Sequence, residues 1–348
     1  MLISFDSQTF FSSKIKRLFS RNFSDRIYQL IDRNKSGPKN FMIDLIQGIE
    51  NNNLAKTTFN FLTSDTHILN AGFYSILWGK TQPKNKKNVI IRLDGIGIDA
   101  ADLNLDQLKT KFYRILNKGS FLIYQSEFAR NCFNNTYNSL PPGKVIYNGA
   151  TKLENRKSFS KNCLAKINSK FNGNFYTVAG RFSSRKRIYE ITKEFNNYNL
   201  GNLVVMSNVP ENCKFKNKRI IYLGMINSEL ARIVIARSLG LIHFDRYDWC
   251  PNIVVGAVSD GIPVICSNYG GTPEIVGKNG LVIQEFPNNL SHNLEGINYA
   301  KSSSFPSKIF RENLSDSKWK RLFKKKKDFH NIKDVAQKYV KTAYNLIK

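Results

Sequence analysis

The sequence lacks any long apolar run. No stretch approaches the roughly 18 uncharged apolar residues that a membrane-spanning helix needs. The first ten residues contain an aspartate and no basic start before an apolar core, so they do not have the pattern of a secretory signal peptide. These two absences predict a cytoplasmic chain.

Cysteine and histidine are few, and neither has the spacing of metal ligands. The cysteines are Cys132, Cys163, Cys213, Cys250 and Cys266, and the histidines are His67, His243, His292 and His330. An odd number of cysteines with no C-x-x-C pair is typical of reduced intracellular thiols. The spacing predicts no metal site.

Acidic residues are scarce: 26 Asp and Glu stand against 53 Lys and Arg, which gives a formal net charge of +27. Such an excess attracts the phosphates of nucleotides, nucleic acids or anionic lipids, or it is only a solvated basic surface. With 41% apolar and 12% aromatic residues, the 348-residue chain can nevertheless build two cores. We therefore expect a folded two-domain protein.

The most informative stretch is 247–280, YDWCPNIVVGAVSDGIPVICSNYGGTPEIVGKNG. Its pattern predicts a helix that begins at Asn252, then a buried strand, a glycine turn and a second helix. Backbone amides at such a turn point toward an anion, so Gly270, Gly271 and Thr272 are predicted to bind a phosphate.

This stretch resembles the nucleotide-sugar signature of family 4 glycosyltransferases, which are retaining enzymes of the GT-B fold. The matching positions are Asp248, Cys250, Pro251, Asn252, Ala257, Gly261, Pro263, Val264, Gly270, Gly271, Pro273 and Glu274. The resemblance implies an α/β chain with two Rossmann-like parallel-sheet domains facing a central cleft and a C-terminal helix crossing back to the first domain. It also implies transfer of a sugar from a nucleotide-sugar donor to a glycan, lipid-linked or other acceptor, with retention of configuration and without a metal or other cofactor.

The resemblance also implies roles for individual residues of the second domain. Arg181 and Lys186 fall where the family holds the donor diphosphate, and Asp248 falls where it orients the donor sugar. An arginine fork and a lysine point charge suit that task. Met225 would lie against the nucleotide base, although a place in the core explains it equally well. The donor-side candidates are Gly180, Met225, Asn252, Gly256, Gly270, Gly271, Thr272 and Glu274.

One position departs from the family pattern. The family usually has a second carboxylate eight residues after the first, facing the nucleotide ribose, and here that position is Gly256. Asp260, one helical turn further on, is either a substitute or a solvated residue, and we prefer the solvated interpretation. The missing carboxylate supports an alternative function, that of a catalytically silent relative.

The first half of the chain resembles the family less. Its first strand is predicted at 27–31. Gly37 resembles the acceptor-side glycine loop, while Arg92 and Asp94 lie at the end of a predicted strand, 89–93, where parallel strands line a ligand crevice. Gly37, Arg92 and Asp94 are the acceptor-side candidates.

The predicted organisation is an acceptor domain at 1–155, a linker at 156–171, a nucleotide-sugar domain at 172–328 and a returning helix at 329–348. Basic residues interleaved with aromatics at 318–327 favour contact with an anionic membrane surface, which would make the protein peripheral on an inner face. The similar segment at 10–23 is either a membrane-contacting helix or a helix packed on its own domain with its lysines outward, and we prefer the packed helix. No nucleic-acid-binding module is recognisable, so a specific nucleic-acid partner is not expected and that function is the weakest alternative.

Overall fold

The computed structural model describes residues 1–5, 37–58, 63–71, 88–93, 95, 116, 119–151, 153, 167, 169–315 and 330–348. The chain divides into two compact units, of which the first comprises Met1–Gly149 with Ile332–Lys348 and the second comprises Ala150–Asn331. Each unit contains a six-stranded sheet.

The sheet of the first unit is parallel, with the strand order β2-β1-β3-β4-β5-β6. Its strands are β1 (Leu2–Phe5), β2 (Lys56–Thr58), β3 (Thr66–Ala71), β4 (Val89–Leu93), β5 (Phe121–Tyr124) and β6 (Gly143–Val145). All five residues of β4 are buried, as expected for a central parallel strand that is covered on both faces.

The sheet of the second unit is also parallel, with the strand order β12-β11-β10-β7-β8-β9. Its strands are β7 (Tyr176–Ala179), β8 (Leu203–Met206), β9 (Ile220–Tyr222), β10 (Gly240–His243), β11 (Val264–Ser267) and β12 (Gly280–Ile283). The predicted α/β class with two parallel sheets is confirmed.

Helices pack against these sheets. The named helices are α1 (Gly37–Asn51), α2 (Glu127–Asn134), α3 (Ile188–Asn197), α4 (Ser228–Ile235), α5 (Asn252–Ser259), α6 (Thr272–Val276), α7 (Leu294–Ser302), α8 (Ser307–Ser315) and α9 (Ile332–Ile347). In the first unit, α9 packs against α1, and both helices contribute buried apolar residues to one core with β1, β3 and β4. The last helix of the chain thus belongs to the first unit.

Several predicted features fall outside the described residues. These are the strand predicted at 27–31, the basic segments at 10–23 and 318–327, and most of the linker at 156–171. The prediction that 27–31 is the first strand is wrong, because β1 precedes it at Leu2–Phe5. Phe171, at the end of that linker, is buried and its ring lies 6.2 Å from the ring of Phe175. Within the described part of the chain, no helix has the length and apolar character needed to cross a membrane.

Candidate functional site

The strand order of the second sheet reverses between β7 and β10. Strands β8 and β9 lie on one side of β7, whereas β10, β11 and β12 lie on the other. Such a switch point opens a crevice beyond the carboxyl ends of the two strands, and ligands of open α/β sheets bind there. The loops at 180–187 and 244–251, which follow β7 and β10, therefore border the candidate site.

Lys186 connects these two loops through a charged cluster. Its Nζ donates to Asp245 and, at 2.8 Å, to Oδ2 of Asp248. The three side chains are largely buried, with exposed fractions of 13% for Lys186, 4% for Asp245 and 14% for Asp248. The sequence-based assignment of Lys186 and Asp248 to one site predicted their proximity, but it did not include Asp245.

The charges of this cluster stabilise one another. Burial alone would lower the pKa of Lys186, but Asp245 and Asp248 outweigh burial and raise that pKa above its ordinary value. Burial alone would raise the pKa of Asp248, but the Lys186 ammonium outweighs it and holds this pKa well below its usual range. Lys186 and Asp248 therefore both remain charged near neutral pH.

His243, the last residue of β10, lies against the same carboxylates. Its Nε2 is 3.4 Å from Oδ2 of Asp245 and 3.8 Å from Oδ2 of Asp248. The residue is only 3% exposed, and Nε2 makes no hydrogen bond with a described residue. Sequence reasoning missed His243 and Asp245 because it searched for paired Cys and His. The sequence does contain a signal for this pair. His243 and Asp245 are two positions apart at the end of a predicted strand, and alternate residues of a strand point to the same face.

Arg181 differs from Lys186 in being exposed. It forms no hydrogen bond or ion pair with any residue that the structure describes. The structure therefore leaves one cation of the predicted pair available to an anion at the end of β7. Gly180, just before it, has φ +142°, a conformation that favours glycine, and it lies beside the methylene groups of Lys186.

Arg187 anchors this loop, although sequence reasoning did not select it. The residue is fully buried, adopts φ +53°, and lies 2.5 Å from a carboxylate oxygen of Glu285. Its Nη2 also donates to Oγ of Ser303 at 2.7 Å. These contacts fix the backbone directly after Lys186 to two later segments of the same unit.

The glycine turn after β11 packs directly on the loop that carries Asp248. Gly270 has φ +97°, and a Cβ there would lie 2.8 Å from the amide nitrogen of Asp248. The amide of Gly271 donates to the carbonyl of Asp248 at 2.7 Å. The predicted role of this amide as a phosphate donor is therefore wrong, because the amide is already used inside the protein.

Two other amides of this turn keep the predicted role. The amides of Gly270 and Thr272 donate to no described residue. Oγ1 of Thr272 is buried and likewise has no hydrogen-bond partner among the described residues. Glu274 is partly buried in the short helix α6, and Asn252 begins α5.

Gly256 lies in α5 against the side chain of Arg232. A Cβ at position 256 would lie 3.0 Å from Nε of Arg232 and 3.1 Å from its Cδ. Arg232 in turn donates to both carboxylate oxygens of Asp260, from Nε at 2.9 Å and from Nη2 at 2.5 Å. The preferred interpretation of Asp260 as a solvated residue is thus wrong, because Arg232 bonds to both of its carboxylate oxygens.

Met225 is 57% exposed, just after β9, so it is not a core residue in the described structure. The preceding Gly224 has φ +71° and lies where the chain leaves the carboxyl end of β9. An exposed thioether at this edge of the sheet is available to contact a flat apolar ligand group.

Of the acceptor-side candidates, Arg92 does not have the expected position. It is fully buried, donates to Oδ1 of Asn70 and to Oδ1 of Asn148 at 2.7 Å each, and stacks over the ring of Phe41. This guanidinium ties neighbouring elements of the first unit together instead of facing a ligand. Asp94 lies outside the described residues, and Gly37 is the first residue of α1.

Comparisons with known proteins show similarity in structure only. No protein-family model matches the sequence, and no curated protein matches it. Sucrose-phosphate synthase from Thermosynechococcus elongatus has 15% sequence identity and a TM-score of 0.61, over 94% of this chain and 80% of that one. HepE from Anabaena, in complex with UDP and glucose, has 14% identity and a TM-score of 0.60, over 99% of this chain and 100% of its own.

The chain has the GT-B fold. A starch synthase from Arabidopsis thaliana bound to ADP and acarbose is also similar, with 15% identity and a TM-score of 0.54 over 90% of this chain and 78% of that one. In this GT-B chain, the cluster around Lys186, the exposed Arg181 and the turn at Gly270 all lie in the second unit.

Proposed function

We propose that this GT-B protein is a family 4 glycosyltransferase that moves a sugar from a nucleotide-sugar donor to a glycan, lipid-linked or other acceptor with retention of configuration. The observation that carries the proposal is the position of Arg181 and Lys186 at the switch point of the second sheet. Arg181 is exposed and unpaired among the described residues, and Lys186 is fixed by its neighbours.

The donor diphosphate would bind at Arg181, Lys186 and the amides of Gly270 and Thr272. An ammonium group has three donor hydrogens. Two of them serve Asp245 and Asp248 here, so one remains for a phosphate oxygen. Cations and amides placed before the reaction stabilise the charge that develops on the leaving diphosphate. Turnover is therefore expected without an added metal or other cofactor.

The other candidates surround this diphosphate site. Asp248, whose carboxylate stays charged, would orient the donor sugar through hydroxyl hydrogen bonds. Met225 would contact the nucleotide base. Gly37 and Asp94 remain the proposed acceptor-side residues. Arg92 would contribute only to the stability of the first unit, through its buried hydrogen bonds.

A thermal-shift screen with UDP, ADP and GDP, each with and without its sugar, tests this proposal. One of the similar structures is in complex with UDP and another is bound to ADP, which makes these nucleotides the first probes. A nucleotide present at 100 times its dissociation constant should add about 2.7 kcal/mol to the free energy of unfolding. If no nucleoside diphosphate or nucleotide sugar raises the melting temperature at saturating concentration, the proposal is wrong.

A silent GT-B relative is the second candidate, and the contact between Gly256 and Arg232 favours it. Residue 256 has no side chain, and the guanidinium of Arg232 lies 3.0 Å from where its Cβ would be, so a cation borders the position at which the family has a carboxylate. Release of nucleoside diphosphate from a nucleotide sugar that binds in the screen separates the two functions. Binding without any release, over a panel of glycan and lipid acceptors, would support the silent relative.

A further inference from the structure

The cluster at the end of β10 contains the ligand set of a cation site. Nε2 of His243 and one carboxylate oxygen each of Asp245 and Asp248 all lie within 4.8 Å of one another. His243 and Asp245 are buried, and Asp248 is nearly so. Nε2 of His243 is more than nine-tenths buried, points at the two carboxylates and makes no hydrogen bond with a described residue.

The spacing of these atoms suits a small divalent ion. Nitrogen and oxygen ligands lie about 2.0 to 2.2 Å from such an ion, so two ligands of a tetrahedral site are separated by roughly 3.3 to 3.6 Å. The observed separations from Nε2 are 3.4 Å to Asp245 and 3.8 Å to Asp248. Both separations from Nε2 are therefore close to those of two ligands on one ion, and all three candidate ligand atoms lie within 4.8 Å of one another.

Lys186 now supplies the positive charge at this position. Its ammonium contacts both carboxylates but brings one charge to two, and it leaves Nε2 of His243 without a hydrogen-bond partner among the described residues. A divalent cation would neutralise both carboxylates and also use the unpartnered nitrogen. One nitrogen with two carboxylate oxygens suits Mn²⁺ or Zn²⁺ better than Ca²⁺, which prefers oxygen ligands alone.

We propose that His243, Asp245 and Asp248 bind a divalent transition-metal cation, such as Mn²⁺ or Zn²⁺, in exchange with the ammonium of Lys186. The ion takes the place of Nζ between the carboxylates, and Lys186 turns away from them. This site goes beyond the proposed transfer reaction, which needs no metal ion, and it does not rest on that reaction.

Mn²⁺ titration of the chelator-treated full chain, followed by the electron paramagnetic resonance signal of free Mn²⁺, tests the proposal without any nucleotide. The wild-type chain should bind one Mn²⁺. Asp245→Asn and His243→Ala should each weaken binding at least tenfold, whereas Glu211→Gln, which removes a carboxylate exposed by 87%, should leave it unchanged. Circular dichroism checks that each variant is folded.

Lys186→Met gives the decisive contrast, because loss of the competing ammonium should tighten Mn²⁺ binding about tenfold, a gain that misfolding cannot produce. Absence of Mn²⁺ binding by the wild-type chain at millimolar concentration would overturn the proposal. Equal affinities in the wild type, His243→Ala and Lys186→Met would overturn it too. Because this titration contains no nucleotide, neither result supports or contradicts the proposed donor site, which is tested separately.

Discussion

At the scale of single residues, Asp260 is held by an arginine from another helix. Arg232 in α4 contacts both of its carboxylate oxygens and also donates to the carbonyl of Thr151 at 2.8 Å. The side chains of Arg232 and Asp260 are exposed by only 9% and 8%. Loss of one partner from a buried pair leaves an uncompensated charge, which destabilises the fold.

We therefore predict that Asp260→Asn lowers the free energy of unfolding by about 3 kcal/mol, at the low end for a broken buried pair because Asn keeps one acceptor. Urea unfolding measures this change. Glu211→Gln, which alters an exposed pair with Lys214, should change stability by less than about 0.5 kcal/mol. Unchanged stability together with weaker nucleotide binding in Asp260→Asn would instead make Asp260 a ligand contact.

The residues that the sequence misplaced share one cause. Arg92 is held by Asn70 and Asn148, and Asp260 is held by Arg232, so every partner lies more than 20 positions away in the chain. Local patterns do not contain such pairs. By contrast, Lys186 and Asp248 do lie together, at 2.8 Å. Both were assigned to one site from the family resemblance, which carries information about distant loops that local patterns lack.

At the scale of elements, the turn between β11 and α6 requires glycine at position 270 for two reasons. Its φ of +97° disfavours other residues, and a Cβ would lie 2.8 Å and 2.9 Å from backbone atoms of Asp248. Backbone atoms cannot give way as the end of a flexible side chain can. The turn therefore fixes the loop that carries Asp248.

We predict that Gly270→Ala lowers the free energy of unfolding by about 2 to 4 kcal/mol, the sum of a strained φ and an overpacked contact. Gly277→Ala is the matched control, since Gly277 has φ +48° but no heavy atom within 4 Å of its missing Cβ. That control should cost only about 1 to 2 kcal/mol. Equal losses in the two variants would show that contact with Asp248 contributes nothing.

Strongly apolar elements were predictable, and short or half-exposed ones were not. The apolar runs at 89–93, 121–124 and 203–206 each predict a strand, and these ranges are the observed bounds of β4, β5 and β8. Sequence reasoning missed the edge strand β12, whose burial is only partial. It also missed α7 and α8, which have few buried residues and a polar composition.

At the scale of the whole molecule, alternation of strands and helices was enough to predict two parallel sheets, since local connections largely determine this class. The strand order, and with it the switch point between β7 and β10, depends on non-local pairing that the sequence does not display. Contact with an anionic membrane stays a prediction, because the segments 10–23 and 318–327 lie outside the described residues.

The central claim is that the switch point of the second sheet binds the diphosphate of a nucleotide sugar. Calorimetric titration of the most stabilising nucleoside diphosphate into the wild type, Arg181→Ala and Arg237→Ala tests it most directly. Arg237 is also exposed, but it precedes β10 at the opposite end of the strand. A lost charged hydrogen bond costs about 1.5 to 3 kcal/mol, so Arg181→Ala should bind roughly ten- to a hundredfold more weakly, with Arg237→Ala unchanged. Equal affinity in all three proteins would contradict the claim.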